Sequence, residues 1–126
     1  MRARRGFTLI ETTVAIALLA IIVVTVLSGF SATTLAATRH QQETTLDRIT
    51  RSDAEYIKSQ TYTAAANYSH LTLAGYSFST QVLHYDKNAT PTFATGNADT
   101  GLQEIILTVS GPNGIREQID FLKELP

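Results

Sequence analysis

At 126 residues the chain has room for one small domain and one long helix, because a second independent core would be too small to hold itself together. Lysine and arginine number 10 against 11 aspartate and glutamate, a formal net charge of −1, and the acidic excess after residue 30 comes without runs of either sign. Such a surface gives no strong case for nucleic acid as a partner. With no cysteine, a disulfide framework, a thiolate metal site and a thiol nucleophile are all excluded.

The apolar residues are not spread evenly. Residues 1–6, MRARRG, carry three arginines, and residues 7–30 that follow contain a single charge, Glu11. As a helix this stretch is about 36 Å long, enough to cross a hydrocarbon core of about 30 Å with some tilt. The basic residues all precede it, so the positive-inside bias keeps the N-terminus cytoplasmic and places the rest outside. Two other readings fit the same apolar run: a secretory signal with residues 14–27 as its core and Thr34 and Ala36 before the cut, or a plain single-pass anchor. A signal peptide has no use for an acid at Glu11.

The string Gly6-Phe7-Thr8-Leu9-Ile10-Glu11 directly behind the short basic leader closely resembles the prepilin signature of type IV pilins and of the pseudopilins of type II secretion. The resemblance covers about the first 30 residues. It implies cleavage after Gly6 by a membrane-bound prepilin peptidase, methylation of Phe7 as the new N-terminal residue, and a role for Glu11 in assembly. It also implies an inner-membrane location before incorporation into a pilus or pseudopilus, with other pilin or pseudopilin subunits as partners through the N-terminal helix. The run of residues 14–21 and the small domain look more like minor pilins and minor pseudopilins than like the abundant subunits. The disulfide that closes many Gram-negative pilins has no counterpart here.

The chemistry of the signature can be argued without the family. Glycine before the cut leaves the backbone open to a protease and adopts unusual dihedrals cheaply. An acid at a helix centre in the membrane costs about 2.5 to 3.5 kcal/mol on insertion scales, less near the edge where Glu11 lies. A free amine on Phe7 would lie one helical turn from Glu11, and the positive end of the helix dipole favours a carboxylate there.

Residues 31–60 contain neither glycine nor proline and are rich in helix formers, so nothing stops the membrane helix from continuing. Leu35, Gln42, Leu46, Ile49, Tyr56 and Ile57 recur at helical spacings as a partly apolar stripe, with Asp53 interrupting any coiled-coil seam. Asp47 with Arg51, Arg51 with Glu55 and Glu55 with Lys58 are spaced for solvated pairs. Ser28 and Gly29 form the weak point of the helix.

After a polar connection over residues 61–75, residues 76–85 and 102–109 alternate as half-buried strands, the second with Ile105, Leu107 and Val109 on one face. Gly111-Pro112-Asn113-Gly114 is turn chemistry, and residues 115–122 follow as a third strand with Ile115, Ile119 and Phe121 aligned. The last two strands form a hairpin, and three short strands need the helical stripe to cover one face. Residues 87–101 read as an exposed loop, in which Phe93 either anchors the loop to the sheet or contacts a neighbouring subunit.

His40, His70 and His84 lack metal-ligand spacing and read as surface or structural histidines. Asp86, Asn88, Asn97, Asp99 and Glu104 gather oxygen atoms near one loop, but their spacing matches no calcium loop, and no metal or other cofactor is expected. Two N-x-Ser/Thr triplets, at Asn67 and Asn88, carry no assigned function. No serine elbow or phosphate-binding loop is present, so an enzyme has no constellation to rest on.

The expected fold is α+β and pilin-like: leader 1–6, transmembrane and assembly helix 7–30, soluble half of that helix 31–60, and an antiparallel-sheet domain of about three strands over residues 61–126. The expected function is a structural filament subunit; the alternative is a membrane-anchored or secreted extracytoplasmic binding domain that does not assemble.

Overall fold

The computed structural model describes residues 8–126, which fall into two bodies that part between Gln41 and Gln42. The elements are helix α1 (Leu9–Ser59), strands β1 (Ser77–Tyr85), β2 (Phe93–Ala94) and β3 (Leu102–Ser110), a single 3-10 turn (Pro112–Gly114) and strand β4 (Arg116–Glu124). This is a long N-terminal helix packed on an antiparallel sheet of order β2-β1-β3-β4. Helix α1 runs unbroken through Ser28 and Gly29. The hydroxyl of Ser28 bonds back to the Val24 carbonyl at 2.9 Å, so the weak point of the sequence does not interrupt the ladder.

In the second body the inward face of the sheet is set by register. Val82, Ile105 and Phe121 lie side by side across three strands, as do Thr80, Leu107 and Ile119. Leu46, Ala54 and Ile57 of α1 join Val82, Ile105, Leu107 and Val109 in one buried cluster, with Ile49, Phe78, Ile119 and Phe121 packed around it. Of the residues on the stripe read from spacing, Leu46 and Ile57 are core while Leu35 and Tyr56 are exposed; Thr50 and Asp53, outside that stripe, are buried as well. Buried Thr50 satisfies its hydroxyl on the Leu46 carbonyl at 2.9 Å. Arg51 grips Asp47 through contacts of 2.9 and 3.1 Å, and Lys58 reaches Glu55 at 3.2 Å.

The sheet has four strands rather than about three. The extra one lies inside the span expected as an exposed loop, where Phe93 and Ala94 pair with Tyr85 and His84. Two residues are too few for alternation to show in the sequence. What holds them is tertiary: the Phe93 ring packs against Tyr85 with centroids 5.2 Å apart, and Asn97 Nδ2 donates to the carbonyls of His84 and Thr92, each at 3.1 Å. Phe93 therefore anchors its segment to the sheet. In the hairpin turn Asn113 and Gly114 take positive φ of 62° and 76°, the conformation that Asn and Gly adopt most cheaply.

The C-terminal end of α1 is closed by the far strand. Lys123 of β4 is 8 % exposed, and its ammonium donates to the carbonyls of Ile57, Lys58 and Gln60 at 3.1, 2.9 and 2.7 Å. Those carbonyls lie where a helix end leaves acceptors short of i+4 donors, the Ile57 carbonyl also accepting from the Gln60 amide at 3.2 Å, and a cation also suits the negative end of the dipole. Burial pulls the Lys123 ammonium below its usual pKa range, the opposing cost of the same arrangement. Lys123→Met keeps the packing of the stem and removes the donors, so it should lower stability by about 1 to 3 kcal/mol in chemical denaturation.

Glu117, half-buried on β4, faces Asp47 of α1, and its carboxyl is raised above the ordinary value of 4.5, first by desolvation and then by the hydrogen bond and charge of Asp47. A carboxyl raised in the fold binds its proton more tightly there than in the unfolded chain. Its contribution is therefore favourable below pH 4.5 and is lost as pH rises through the higher folded value. Glu117→Gln should raise the melting temperature at pH 7, with the difference from the parent chain shrinking as the pH is lowered through that window.

Candidate functional site

The first turn of α1 carries the site indicated by the sequence. Thr8 stands immediately before the helix, and its side chain accepts from the Glu11 amide at 3.3 Å. Glu11 Oε2 in return accepts from the Thr8 amide at 3.1 Å and from the Thr8 hydroxyl at 3.2 Å. This is a reciprocal capping box, in which two backbone donors orphaned by the helix start are satisfied by one threonine and one glutamate. Thr8 was not singled out by sequence reading, although its Thr-x-x-Glu spacing was available. Gly6 and Phe7, the expected cleavage pair, lie outside the described residues.

Behind Glu11 the helix surface is apolar and uncovered. The apolar window of α1 is long enough to cross a membrane, and none of it is buried among the described residues. Ile10, Ile16, Ile21, Val24 and Phe30 each expose more than half of their surface. A core helix of a soluble protein would be mostly covered, so this surface needs lipid or other helices. The hydroxyls in the span already suit such surroundings: Thr12, Thr13, Thr25 and Ser28 each donate to a carbonyl one turn back, at 3.3, 2.9, 3.1 and 2.9 Å. The one charge, Glu11, sits at the helix start, where the dipole and the Thr8 donors favour it.

The other residues weighed from sequence fall into separate clusters. Asp53, which broke the apolar pattern, is fully buried, and its carboxylate accepts from the Leu71 amide at 2.7 Å and meets His70 Nδ1 at 2.7 Å. His70 also stacks on Phe78, with 5.9 Å between ring centroids. The pair pins the connection after α1 to the helix, aided by Gln60 and Ser69, which exchange two bonds at 2.7 and 2.8 Å. Buried Gln103 of β3 accepts from the Tyr68 hydroxyl at 2.7 Å and donates to the Thr63 carbonyl at 3.0 Å. His40 lies on the exposed part of α1, far in sequence from both.

The oxygen-rich residues do not converge either. Asp99 accepts from the Tyr62 hydroxyl and from the Gly101 amide, Asp86 accepts from the Asn88 amide, and Asn97 braces three carbonyls. The Tyr62 hydrogen bond and then the Gly101 amide lower the Asp99 pKa; burial first, then Asp99, raises that of Tyr62. His84 Nδ1 is 3.6 Å from Asp99, too long for a hydrogen bond. Among the described residues, no group of three or more His, Cys, Asp and Glu side chains could hold a metal ion.

Comparison with known proteins gives one match. The family described as the prokaryotic N-terminal methylation motif matches residues 1–27, which take in the basic stretch 1–6 and most of the apolar span. No curated protein and no solved structure matches the chain. A prepilin-type methylation motif at residues 1–27, leading into a long apolar helix with an antiparallel sheet packed on its later part, supports a type IV pilin-like protein.

Proposed function

We propose that the protein is a structural subunit of a type IV pilus or a type II secretion pseudopilus, of the minor kind, and not an enzyme. In this reading prepilin peptidase cuts after Gly6, Phe7 is methylated, and the N-terminal helix carries the subunit from the inner membrane into the filament. The N-terminus is cytoplasmic and the sheet domain lies outside. The observation that carries the reading is the matched motif leading into a helix whose apolar window the described residues leave unburied.

The capping box refines what Glu11 does. In the membrane-resident subunit Thr8 meets part of the cost of the carboxylate. In a bundle of packed apolar helices an unpaired carboxylate is expensive, and a Phe7 amine, its own or a neighbour's, relieves it. Pairing with a neighbour also fixes the axial register of the incoming subunit.

Intact mass and N-terminal sequencing of membrane-extracted protein should give a chain that begins at Phe7 with a methylated amine. A chain that begins at Met1 or near Ala37 would point to a plain anchor or a secretory signal instead. Glu11→Val should leave membrane insertion and cleavage nearly intact while sharply reducing the sheared-filament fraction. Normal incorporation of that variant would show that Glu11 does not direct assembly.

A further inference from the structure

The two edges of the sheet differ in a way that assembly through the N-terminal helix does not require. Successive residues of a strand send their backbone groups to opposite sides. The Asp86 amide donates to the Thr92 carbonyl at 2.8 Å, on the β2 side of β1. By alternation Phe78, Thr80 and Val82 also aim their amides and carbonyls at that side. There β2 pairs only with His84 and Tyr85, and among the described residues no backbone bond reaches the edge between Ser77 and Leu83. Those seven residues, SFSTQVL, include no charge and no proline, the devices that usually blunt an open edge. On the opposite edge the Leu125 amide donates inward to Gly101, so Arg116, Asp120 and Glu124 of β4 turn their backbone outward, and that edge is charged.

Beside the Phe78 end of the open edge lies a pocket of about 350 Å³. Ile49, Leu71, Leu73 and Phe78 form its apolar walls, Arg48 is its charged residue, and no acidic side chain lines it. Leu71 and Leu73 are 37 % and 45 % exposed although they flank a cavity, an arrangement that leaves apolar surface for an incoming side chain.

We propose that the β1 edge and this pocket together accept an extended segment of a partner protein by strand addition. The segment is neutral along Phe78–Val82, places a bulky aliphatic side chain in the pocket and carries an acidic residue two positions away, on the same face of the strand, where it meets Arg48. Main-chain bonds to Phe78, Thr80 and Val82 supply affinity, and the pocket supplies selectivity. A second copy of this chain fits less well, because antiparallel pairing of β1 with itself reverses the part of α1 packed on the sheet. Under the proposed function, to which only this choice of occupant is tied, anchored subunits all run the same way.

The test uses the full chain in detergent, labelled for amide NMR, with synthetic nine-residue peptides of alternating threonine and valine and a central Leu-Thr-Glu or Leu-Thr-Lys, which puts leucine and the charge on one face. The Leu-Thr-Glu peptide should shift the Phe78, Thr80 and Val82 amides, and N-methylation of its alternate amides should abolish the shifts. Arg48→Glu, an exposed change, should reverse the preference between the two peptides by about tenfold or more. Thr80→Pro removes an outward amide while leaving the β3 pairing, and should weaken both peptides with the fold retained. Equal binding of the N-methylated peptide, or an unchanged preference in Arg48→Glu, would overturn the proposal. So would a chain-to-chain disulfide through Thr80→Cys in membranes, which this cysteine-free sequence reports without background and which would place a second copy on the edge. None of these readouts depends on filament formation, so they fail independently of the Glu11 experiment.

Discussion

The structure depends on an apolar surface that the chain cannot bury by itself. The span behind Glu11 has ample area to drive association, yet none of it is covered within the protein. Near room temperature such surface is worth roughly 25 cal/mol per Å² once removed from water, a strong drive toward lipid or neighbouring helices. The details of the helix follow from that demand: side-chain hydroxyls bond back to the helix, and the single acid sits at the terminus, within reach of the Thr8 donors.

The later part of α1 solves a different problem, since it is a helix in water with one face to hide. The sheet covers that face and is itself too small to stand without it, so the core cluster draws residues from both. Closure of the helix end by Lys123 ties the last strand to α1 over 63 or more residues of sequence. The polar pins built on Asp53 and Gln103 fix the irregular connection between helix and sheet, which has little apolar surface of its own to hold it. Such buried polar groups are costly unless satisfied, and here each meets defined partners.

Much of this was legible in the sequence because it is local. The leader, the length of the span and the prepilin signature are contiguous strings. Likewise β1, β3 and β4 each alternate over enough residues for a period of two to show, and the Gly111–Gly114 turn announces the hairpin. The capping box was legible too, as threonine followed three residues later by glutamate. Its two members, Thr8 and Glu11, are three residues apart in the chain.

What only the tertiary structure decided are the pairings between distant residues. A two-residue strand has no periodicity, so β2 exists because Tyr85 and Asn97 hold it. Asp53 looks like an interruption of the helical stripe, and is buried because the loop brings His70 and the Leu71 amide to its carboxylate. Lys123 looks like one more surface cation at the end of a strand, and becomes a helix cap because the register of β4 on β3 carries it to the end of α1. Local sequence determined the long helix, the three long strands and the apolar surface of the N-terminal span; the sign of each buried polar group's contribution depends on partners that only the folded chain brings within hydrogen-bond distance.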